Sequence, residues 1–266
     1  MDITLARNPE ELLHGIDLAI AGGVAGLVAG GGDGTVNTVA AAVAGTGIPL
    51  GVLPLGTLNH FAKDLGIPLG LDEAAAVVLA GFTVKVDLGE VNQRYFLNNS
   101  SLGLYPRIVR LRATHPVRGW RKWIVAIWAV VKTVERNPKI SVSIDASGER
   151  VVTRTPIVFI ANNEYTMSGL EAGTRASLAG GKLAIYVVRT GGRPRLMRLA
   201  WRMFTGRALR SGELDLTLTE SATIGLGAPR VPVALDGEVV ILEPPLEYRI
   251  RPAALEVLIP KPAPDA

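Results

Sequence analysis

The sequence predicts an α/β domain followed by a domain made mainly of β-strands, of either the all-β or the α+β class. In the first third of the chain, short apolar runs bounded by glycines alternate with helical patterns, which is typical of an open parallel sheet. After residue 84, strand-like runs separated by turn-like pairs dominate. We therefore predict domains at 1–86 and 87–261 and a loose tail at 262–266, and we leave open whether the end of the second domain returns to the first.

The first domain is predicted to begin with a helix. Asn8 is a good helix cap, Pro9 suits the first helical position, and the acids Glu10 and Glu11 favour the positive end of the helix dipole. Apolar residues continue at helical spacing and end at a pair of glycines. The elements predicted next, in order, are a strand at 25–29, a loop at 30–34, a helix at 36–44, a strand at 49–53, a loop at 54–59, and helices at 61–65 and 71–80.

The second domain is predicted from eight runs with strand patterns. They are Val84–Val91, Tyr95–Asn99, Ile140–Ile144, Val151–Ala161, Leu183–Val188, Leu214–Leu218, Val231–Leu235 and Tyr248–Ile250. Pairs such as Asn92-Gln93 and Ser147-Gly148 separate these runs and are typical of tight turns. Helical patterns interrupt the strands at 120–136 and 194–205.

The composition of the 266 residues excludes several classes of protein. The absence of cysteine excludes a disulfide scaffold, a zinc–thiolate site, an iron–sulfur cluster and thiol catalysis. The N-terminus has no basic region followed by an apolar run, and the longest uncharged apolar run, Trp123–Val131, is too short to span a bilayer. We therefore expect a soluble, cytoplasmic protein, and the net charge of +4 by itself names no partner.

A glycine-rich junction at Gly30–Thr35 joins a predicted strand to a predicted helix. Glycines let the backbone approach a ligand closely, and the free N–H groups at the start of a helix suit a phosphate. The presence of Asp33 in this loop needs a different explanation, because a carboxylate repels phosphate. It could hold a magnesium ion that bridges to the phosphates, hold a ribose hydroxyl, accept a proton, or cap the helix. The pattern matches neither the Walker loop nor the dinucleotide-binding fingerprint.

Three ordered blocks resemble the signature motifs of the diacylglycerol kinase catalytic family. Gly31–Asn37 resembles its GGDGT block, Pro54–Ala62 resembles its PxGTxNDFA block, and Leu235–Glu238 resembles its LDGE motif. Within that family, the chain is most similar to bacterial lipid kinases of the YegS type. The resemblance implies a NAD kinase-like α/β nucleotide domain followed by a β-sandwich domain.

The same resemblance implies an enzyme of phospholipid metabolism that transfers the γ-phosphoryl group of ATP, with Mg²⁺, to the hydroxyl of diacylglycerol or a related lipid. Carried onto this sequence, Glu238 would accept the proton of the lipid hydroxyl, with Asp236 as its partner, and Asp33 would bind the magnesium ion carried by ATP. The nucleotide would bind to Gly31, Gly32, Asp33, Gly34, Thr35, Asn37, Gly56, Thr57 and Asn59.

The sequence departs from the family pattern at several positions. No Asn-Pro-x-Ser-Gly loop precedes the first block, so we expect the chain to lack the family's first strand and helix. His60 stands where the second block usually has an aspartate. The relatives hold a structural magnesium ion at an Asp-Gly turn, for which this chain has Gly180-Gly181-Lys182, and the change argues against that metal site.

Two acid-free segments hold 13 of the 28 basic residues, together with interleaved aromatic residues. They lie at 107–128 and 189–210. Basic helices with tryptophan suit an anionic membrane surface, and the same composition also suits nucleic acid or a solvated helix. Since a lipid kinase must reach a substrate in the bilayer, we predict peripheral binding to the inner face of the membrane and no nucleic-acid partner. The oligomeric state is not predicted.

Two other interpretations stay open. A NAD kinase-like enzyme also carries the GGDGT block, and Asn163-Glu164 resembles the Asn-Glu pair of those enzymes. A catalytically silent lipid- or nucleotide-binding homologue is the second alternative. By residue type alone, Asp236-Gly237 is also the commonest kind of hairpin turn.

Overall fold

The computed structural model describes residues 2–106, 139–165, 175, 177–188 and 214–261. The chain forms two compact units, one made of Met1–Leu88 with Arg251–Ala266 and the other of Gly89–Ile250. The helices predicted at 120–136 and 194–205, both basic segments and the tail at 262–266 lie outside the described residues.

Four helices and fourteen strands lie entirely within the described ranges, and residues 104–106 are also helical. The helices are α1 (Pro9–Ala21), α2 (Asp33–Val43), α3 (His60–Asp64) and α4 (Leu71–Ala80). The strands are β1 (Leu27–Gly31), β2 (Leu50–Pro54), β3 (Thr83–Val91), β4 (Arg94–Phe96), β5 (Asn99–Gly103), β6 (Ile140–Ala146), β7 (Glu149–Thr155), β8 (Ile157–Asn162), β9 (Leu183–Val188), β10 (Leu214–Thr219), β11 (Ser221–Leu226), β12 (Val231–Leu235), β13 (Glu238–Leu242) and β14 (Leu246–Leu258).

Helices on parallel strands make up the first unit. β1 and β2 pair in parallel along their whole length, and the last part of β14 pairs in parallel with β2 through Val257, opposite Leu50. α2 packs on β1 and β2 through an apolar stripe, and α4 packs on β2. The buried residues of that stripe, spaced for one face of a helix, are Val36, Val39, Ala40 and Val43. α1 begins as predicted, since the Asn8 side chain accepts a hydrogen bond from the backbone N–H of Glu11 at 2.8 Å.

The loop predicted at 30–34 is wrong in extent. β1 continues to Gly31 and α2 begins at Asp33, so Gly32 is the only residue between them. The glycines led the sequence analysis to predict a loop, because glycine is unfavourable in both strands and helices. The first unit therefore has a sharp strand-to-helix junction instead of an open loop.

The second unit is a β-sandwich. One antiparallel sheet has the strand order β10-β9-β8-β5-β12-β13. The facing strands are β6, β7, β11 and the Leu246–Arg249 part of β14. Buried side chains from both layers fill the space between them, among them Leu102, Ile160 and Val233 from the first sheet and Ile144, Ile224 and Tyr248 from the facing strands. The α/β class of the first part of the chain and the β-sandwich of the second are confirmed.

Several strand predictions need correction. The single strand expected at 151–161 is two strands, β7 and β8, separated by Pro156, which has no N–H for a ladder. The run Tyr95–Asn99 also divides, because β4 ends at Phe96 and β5 starts at Asn99. β11 and β13 were missed, and β14 continues through Pro252 to Leu258.

Among the described residues, no helix combines the length and the apolar character needed to cross a membrane.

Candidate active site

The junction between β1 and α2 leaves no room for a side chain at Gly31. A Cβ on Gly31 would lie 2.7 Å from the Cβ and the Oγ1 of Thr35, one turn into α2. Gly32 has extended backbone at the cap of α2 and contributes no side chain to the cap. The backbone N–H groups in the first turn of α2 therefore stay available, which is the arrangement that suits a phosphate.

The loop after β2 packs directly on this junction. A Cβ on Gly56 would lie 2.5 Å from the Cα of Gly32 and 2.6 Å from the Oδ1 of Asn59. The backbone N–H of Leu55 donates to the carbonyl oxygen of Gly31 at 3.0 Å, which ties the two loops together. The first two sequence blocks, although more than 20 residues apart, thus form one surface lined by backbone.

Asn59 shapes the second loop. It is buried and adopts a left-handed conformation, with φ of 50°, before α3. Its Nδ2 donates to the carbonyl oxygens of Pro54 at 3.2 Å and Gly56 at 3.0 Å. Thr57 and His60, on either side of it, are exposed. Asn59 thus closes the loop, while Thr57 is the residue whose hydroxyl faces solvent.

Asp33 is the first residue of α2 and points toward α3. Its Oδ1 accepts a hydrogen bond from the backbone N–H of Phe61 at 3.5 Å, and its side chain is half-buried. Together with Gly31, Asn59 and Phe61 it lines a crevice too narrow for a water molecule. The carboxylate of Asp33 therefore lies between the starts of α2 and α3.

Asn37, one turn further along α2, has an unused acceptor. Its Oδ1 is buried and finds no hydrogen-bond donor within the described part of the chain. The neighbouring Thr38 hydroxyl donates to the carbonyl oxygen of Gly34, within the helix. A buried polar atom without a partner is uncommon in folded proteins and indicates a place where a ligand or water would bind.

The third block forms a hairpin turn. Asp236 and Gly237 connect β12 to β13, both with positive φ (46° and 89°), and Leu235 pairs with Glu238 across the turn. These angles fit a two-residue turn of type I′, for which Asp-Gly is a preferred sequence. Glu238 is the first residue of β13 and its side chain is exposed. The carboxylate of Glu238 is therefore accessible to a substrate.

The carboxylate of Asp236 is hydrogen-bonded to the protein backbone. Its Oδ2 accepts from the backbone N–H of Leu97 at 2.7 Å, and its Oδ1 accepts from those of Asn98 at 2.8 Å and Asn99 at 2.9 Å. Burial raises the pKa of the Asp236 carboxyl, while these N–H groups and the charge of Arg175 favour its ionised form. With both oxygens bonded to the backbone, Asp236 holds the turn in place.

Two residues around Asp236 were not predicted from the sequence, Arg175 and Asn162. Arg175 donates to the carbonyl oxygen of Leu97 at 2.6 Å and to the Oδ1 of Asn98 at 3.1 Å, and Asn162 donates to the same Leu97 oxygen at 2.8 Å. One available signal was that asparagines end two apolar strand patterns, at 98–99 and 162–163. Arg175 has no comparable local signal.

Asp33 belongs to the first unit and Glu238 to the second. Within the described ranges, no group of three or more His, Cys, Asp or Glu side chains could hold a metal ion. Asp33 fits a magnesium ion that arrives with a nucleotide, because magnesium is usually bound through one or two carboxylates plus substrate phosphates.

The turn Gly180-Gly181-Lys182, where the resemblance implied an Asp-Gly metal turn, contains no carboxylate. Lys182 follows the two glycines, and its Nζ lies 2.8 Å from the Oε1 of Glu220. The hydrogen bond from Lys182 and its positive charge lower the pKa of Glu220. The ammonium of Lys182 therefore already pairs with the carboxylate of Glu220.

Two family models match the sequence. Residues 1–91 match the diacylglycerol kinase catalytic domain, and residues 111–259 match the YegS C-terminal NAD kinase beta sandwich-like domain.

Two curated relatives illustrate the similarity. A diacylglycerol kinase of Mycobacterium tuberculosis is 29% identical over 259 residues, which cover 93% of this chain and 81% of the relative. A protein of Serratia proteamaculans, named a probable YegS-like lipid kinase, is 52% identical over 91 residues, or 32% of this chain and 30% of that protein.

Solved structures show the same fold. A diacylglycerol kinase structure from Bacillus anthracis matches with a TM-score of 0.69 and 19% identity, over 96% of this chain and 83% of that one. Yeast NADH kinase, complexed with NADH, matches with a TM-score of 0.52 and 15% identity, over 90% of this chain and 62% of that one. At these identities the structures support the NAD kinase-like fold and nothing finer.

Proposed function

The chain belongs to the diacylglycerol kinase catalytic family, in its YegS-like form of lipid kinases, and we propose that it transfers the γ-phosphoryl group of ATP to the hydroxyl of diacylglycerol or a related lipid. The observation that carries the proposal is the contact between Gly32 and Gly56. This contact joins the two glycine blocks into one backbone surface at the start of α2. Such a surface suits the phosphates of a nucleotide, because backbone N–H groups bind them without steric hindrance.

In the proposed reaction, the first unit holds the nucleotide. The N–H groups at the start of α2 and the hydroxyl of Thr57 would bind phosphate oxygens, and the Oδ1 of Asn37 would accept from a donor such as a ribose hydroxyl of the nucleotide. Asp33 is the residue that would hold a magnesium ion, which when bound neutralises charge on the phosphates. The glycines exclude side chains from this surface, so the phosphates can approach the backbone closely.

Glu238 is the proposed proton acceptor. As the lipid hydroxyl oxygen forms its bond to the γ-phosphorus, the bond from that phosphorus to the bridging oxygen of ADP breaks, and the hydroxyl proton passes to the Glu238 carboxylate. An exposed carboxylate at a strand start fits this role, because phosphoryl transfer needs positioning and one base near the incoming hydroxyl. Asp236 acts on the turn that carries Glu238, through its bonds to residues 97–99.

The lipid substrate and the membrane remain part of the proposal. The names of the relatives in Mycobacterium tuberculosis and Serratia proteamaculans support a lipid alcohol as the acceptor. The basic segments at 107–128 and 189–210 support binding to an anionic membrane surface, on sequence grounds.

A NAD kinase-like activity is the competing proposal, since yeast NADH kinase shares the fold. The second and third sequence blocks, around Gly56 and Glu238, favour the lipid kinase instead. A catalytically silent homologue is the other rival, and the activity assay separates all three.

The test is phosphoryl transfer from radiolabelled ATP by the full chain with Mg²⁺, to vesicles of anionic phospholipid containing diacylglycerol and, separately, to NAD. We expect label in a chloroform-soluble phospholipid and none in NAD. Label in NAD alone would establish the NAD kinase rival. No transfer to diacylglycerol, to a panel of other lipid alcohols or to NAD would support the silent homologue.

A further inference from the structure

Arg175 and Asp236 both bind the same stretch of chain, residues 97–99. Asp236 accepts the three N–H groups of this stretch. Arg175 donates to acceptors of the same stretch. Its Nη1 donates to the carbonyl oxygen of Leu97 at 2.6 Å, and its Nη2 donates to the side-chain Oδ1 of Asn98 at 3.1 Å. The stretch is therefore held by an anion on its donors and by a cation on its acceptors.

The guanidinium itself is held in place by several partners. Arg175 is half-buried, its backbone pairs with Tyr165, and its Nη1 also reaches the carbonyl oxygen of Asn162 at 3.4 Å. The positive charge of Arg175 acts to lower the pKa of Asp236, against the effect of burial. A planar fork with fixed donors can satisfy acceptors in two directions, whereas a lysine ammonium is a single point charge.

The stretch at 97–99 in turn determines where the hairpin turn lies. The backbone N–H of Asp236 donates to the carbonyl oxygen of Asn99 at 2.9 Å, so the turn is bonded to this stretch by backbone as well as by side chain. Glu238 follows the turn after one glycine. A displacement of residues 97–99 would therefore move the carboxylate of Glu238.

We propose that Arg175 is a positioning residue for Glu238: it fixes residues 97–99 and, through Asp236, the turn that presents the Glu238 carboxylate to the substrate. The inference rests on the proposed function, in which Glu238 accepts the proton. Arg175 touches neither ATP nor lipid in this assignment, and its effect passes entirely through the turn.

The kinetic test compares Arg175→Lys and Arg175→Gln with the unchanged chain, using ATP and diacylglycerol vesicles. We expect kcat to fall about 10- to 100-fold, because a misplacement on the order of 1 Å is costly at a reacting group. KM for ATP should stay unchanged, since the glycine blocks belong to the other unit. Arg154→Lys, which alters an exposed arginine of the same unit, is the matched control and should keep full activity.

The decisive comparison uses Glu238→Gln as a background. If Arg175 acts through Glu238, Arg175→Lys should lower the residual rate of Glu238→Gln by less than twofold. An equal loss in both backgrounds, or wild-type kcat in Arg175→Lys, would overturn the inference. Matching melting temperatures would show that Arg175→Lys still folds.

Hydrogen exchange of the full chain separates this inference from the proposed function, because it needs no activity. The amides of residues 97–99 should exchange at least about tenfold faster in Arg175→Lys, with the amides of β2 unchanged as an internal control. If the unchanged chain phosphorylates no lipid, the proposed function fails, and the exchange data alone decide whether Arg175 fixes the turn. Unaltered exchange in both Arg175 variants would overturn that role.

Discussion

Gly32 and Gly56 approach so closely that a Cβ on Gly56 would lie 2.5 Å from the Cα of Gly32. Atoms at that distance cannot both stay in place, so one of the two loops must move when Gly56 gains a side chain. The contact explains why the second sequence block needs a glycine at position 56, and it makes the joined surface sensitive to a single methyl group there.

Gly56→Ala should therefore weaken nucleotide binding. We expect KM for ATP to rise and the free energy of unfolding to fall by about 1–3 kcal/mol, the usual cost of overpacking. The measurements are steady-state kinetics and urea denaturation. Gly26→Ala is the control, because its Cβ would meet Pro49 at ordinary van der Waals distance, 3.4 Å. Equal behaviour of the two variants would contradict a tight loop contact.

Asp33→Asn should lower the activity and leave the stability of the fold nearly unchanged. The Asn oxygen can still accept the N–H of Phe61, so stability should stay close to that of the unchanged chain. The charge that would hold a magnesium ion is lost, and we expect kcat/KM for ATP to fall at least about 100-fold. Asp17→Asn removes an exposed charge from α1 and should leave activity unchanged. Full activity in Asp33→Asn would show that Asp33 has no role in the reaction.

Glu238→Gln should abolish most activity without loss of stability. A general base typically contributes about 10²- to 10⁴-fold, and the exposed Glu238 side chain should contribute little to folding. The chain offers a closely matched control in Glu149→Gln. Glu149 also starts a strand after a two-residue turn with positive φ, Ser147-Gly148, and is exposed. If both variants lost activity equally, the role assigned to Glu238 would be wrong.

Asp236→Asn should destabilise the second unit. An amide NH₂ in place of one oxygen would face a backbone N–H of residues 97–99, and such an unsatisfied donor costs about 1–3 kcal/mol. Because burial raises the pKa of Asp236, the folded chain binds this proton more tightly than the unfolded chain. The stability from Asp236 is then full below its unfolded pKa and is lost as pH rises through its folded pKa.

The difference in unfolding free energy between the unchanged chain and Asp236→Asn should accordingly shrink as pH rises above about 4, the usual pKa of an aspartate. Urea titrations of both proteins at a series of pH values measure it. A difference that grows with pH would mean that the N–H donors and Arg175 lower the pKa of Asp236 by more than burial raises it.

Lys182→Gln should return the pKa of Glu220 to its ordinary range, because the lysine hydrogen bond and charge lower it. This carboxylate contributes stability above its unfolded pKa and loses it as pH falls through its folded pKa. The pair is exposed, so the effect on the melting temperature should be small and should shrink further with added salt. NMR titration of the Glu220 carboxyl carbon gives the pKa.

A structural metal at the turn before Lys182 would make the melting temperature sensitive to EDTA. We expect no change on addition of EDTA to the unchanged chain, and a clear fall would contradict the absence of that metal.

Local patterns were sufficient for much of the first unit. The cap at Asn8 and the whole of α1, up to the glycine pair that follows Ala21, follow from residue types alone, and the helix predicted at 71–80 has the bounds of α4, Leu71–Ala80. The three sequence blocks were enough to predict the lipid kinase family, which the family models confirm. These features depend on residues within a few positions of one another, which is the range that sequence patterns describe.

The contacts of Asp236 at its turn are a feature that local sequence patterns do not predict. Residue type alone left a choice between a hairpin turn and a catalytic carboxylate. The structure has the turn, and it also binds the Asp236 carboxylate to backbone 137–139 positions away in the chain. No local pattern could reveal that contact, because it depends on strand pairing in the sandwich.

The sequence was therefore enough for the family, the fold class and the positions of the glycine blocks, since these rest on short-range residue patterns. Only the tertiary structure brought Gly32 against Gly56 and bonded both Arg175 and Asp236 to residues 97–99. The physical reason is the same in both cases. Such contacts form only when sheets and loops pack. The tertiary fold therefore determines which residues meet, and no local sequence pattern indicates the pairing of residues that are far apart in the chain.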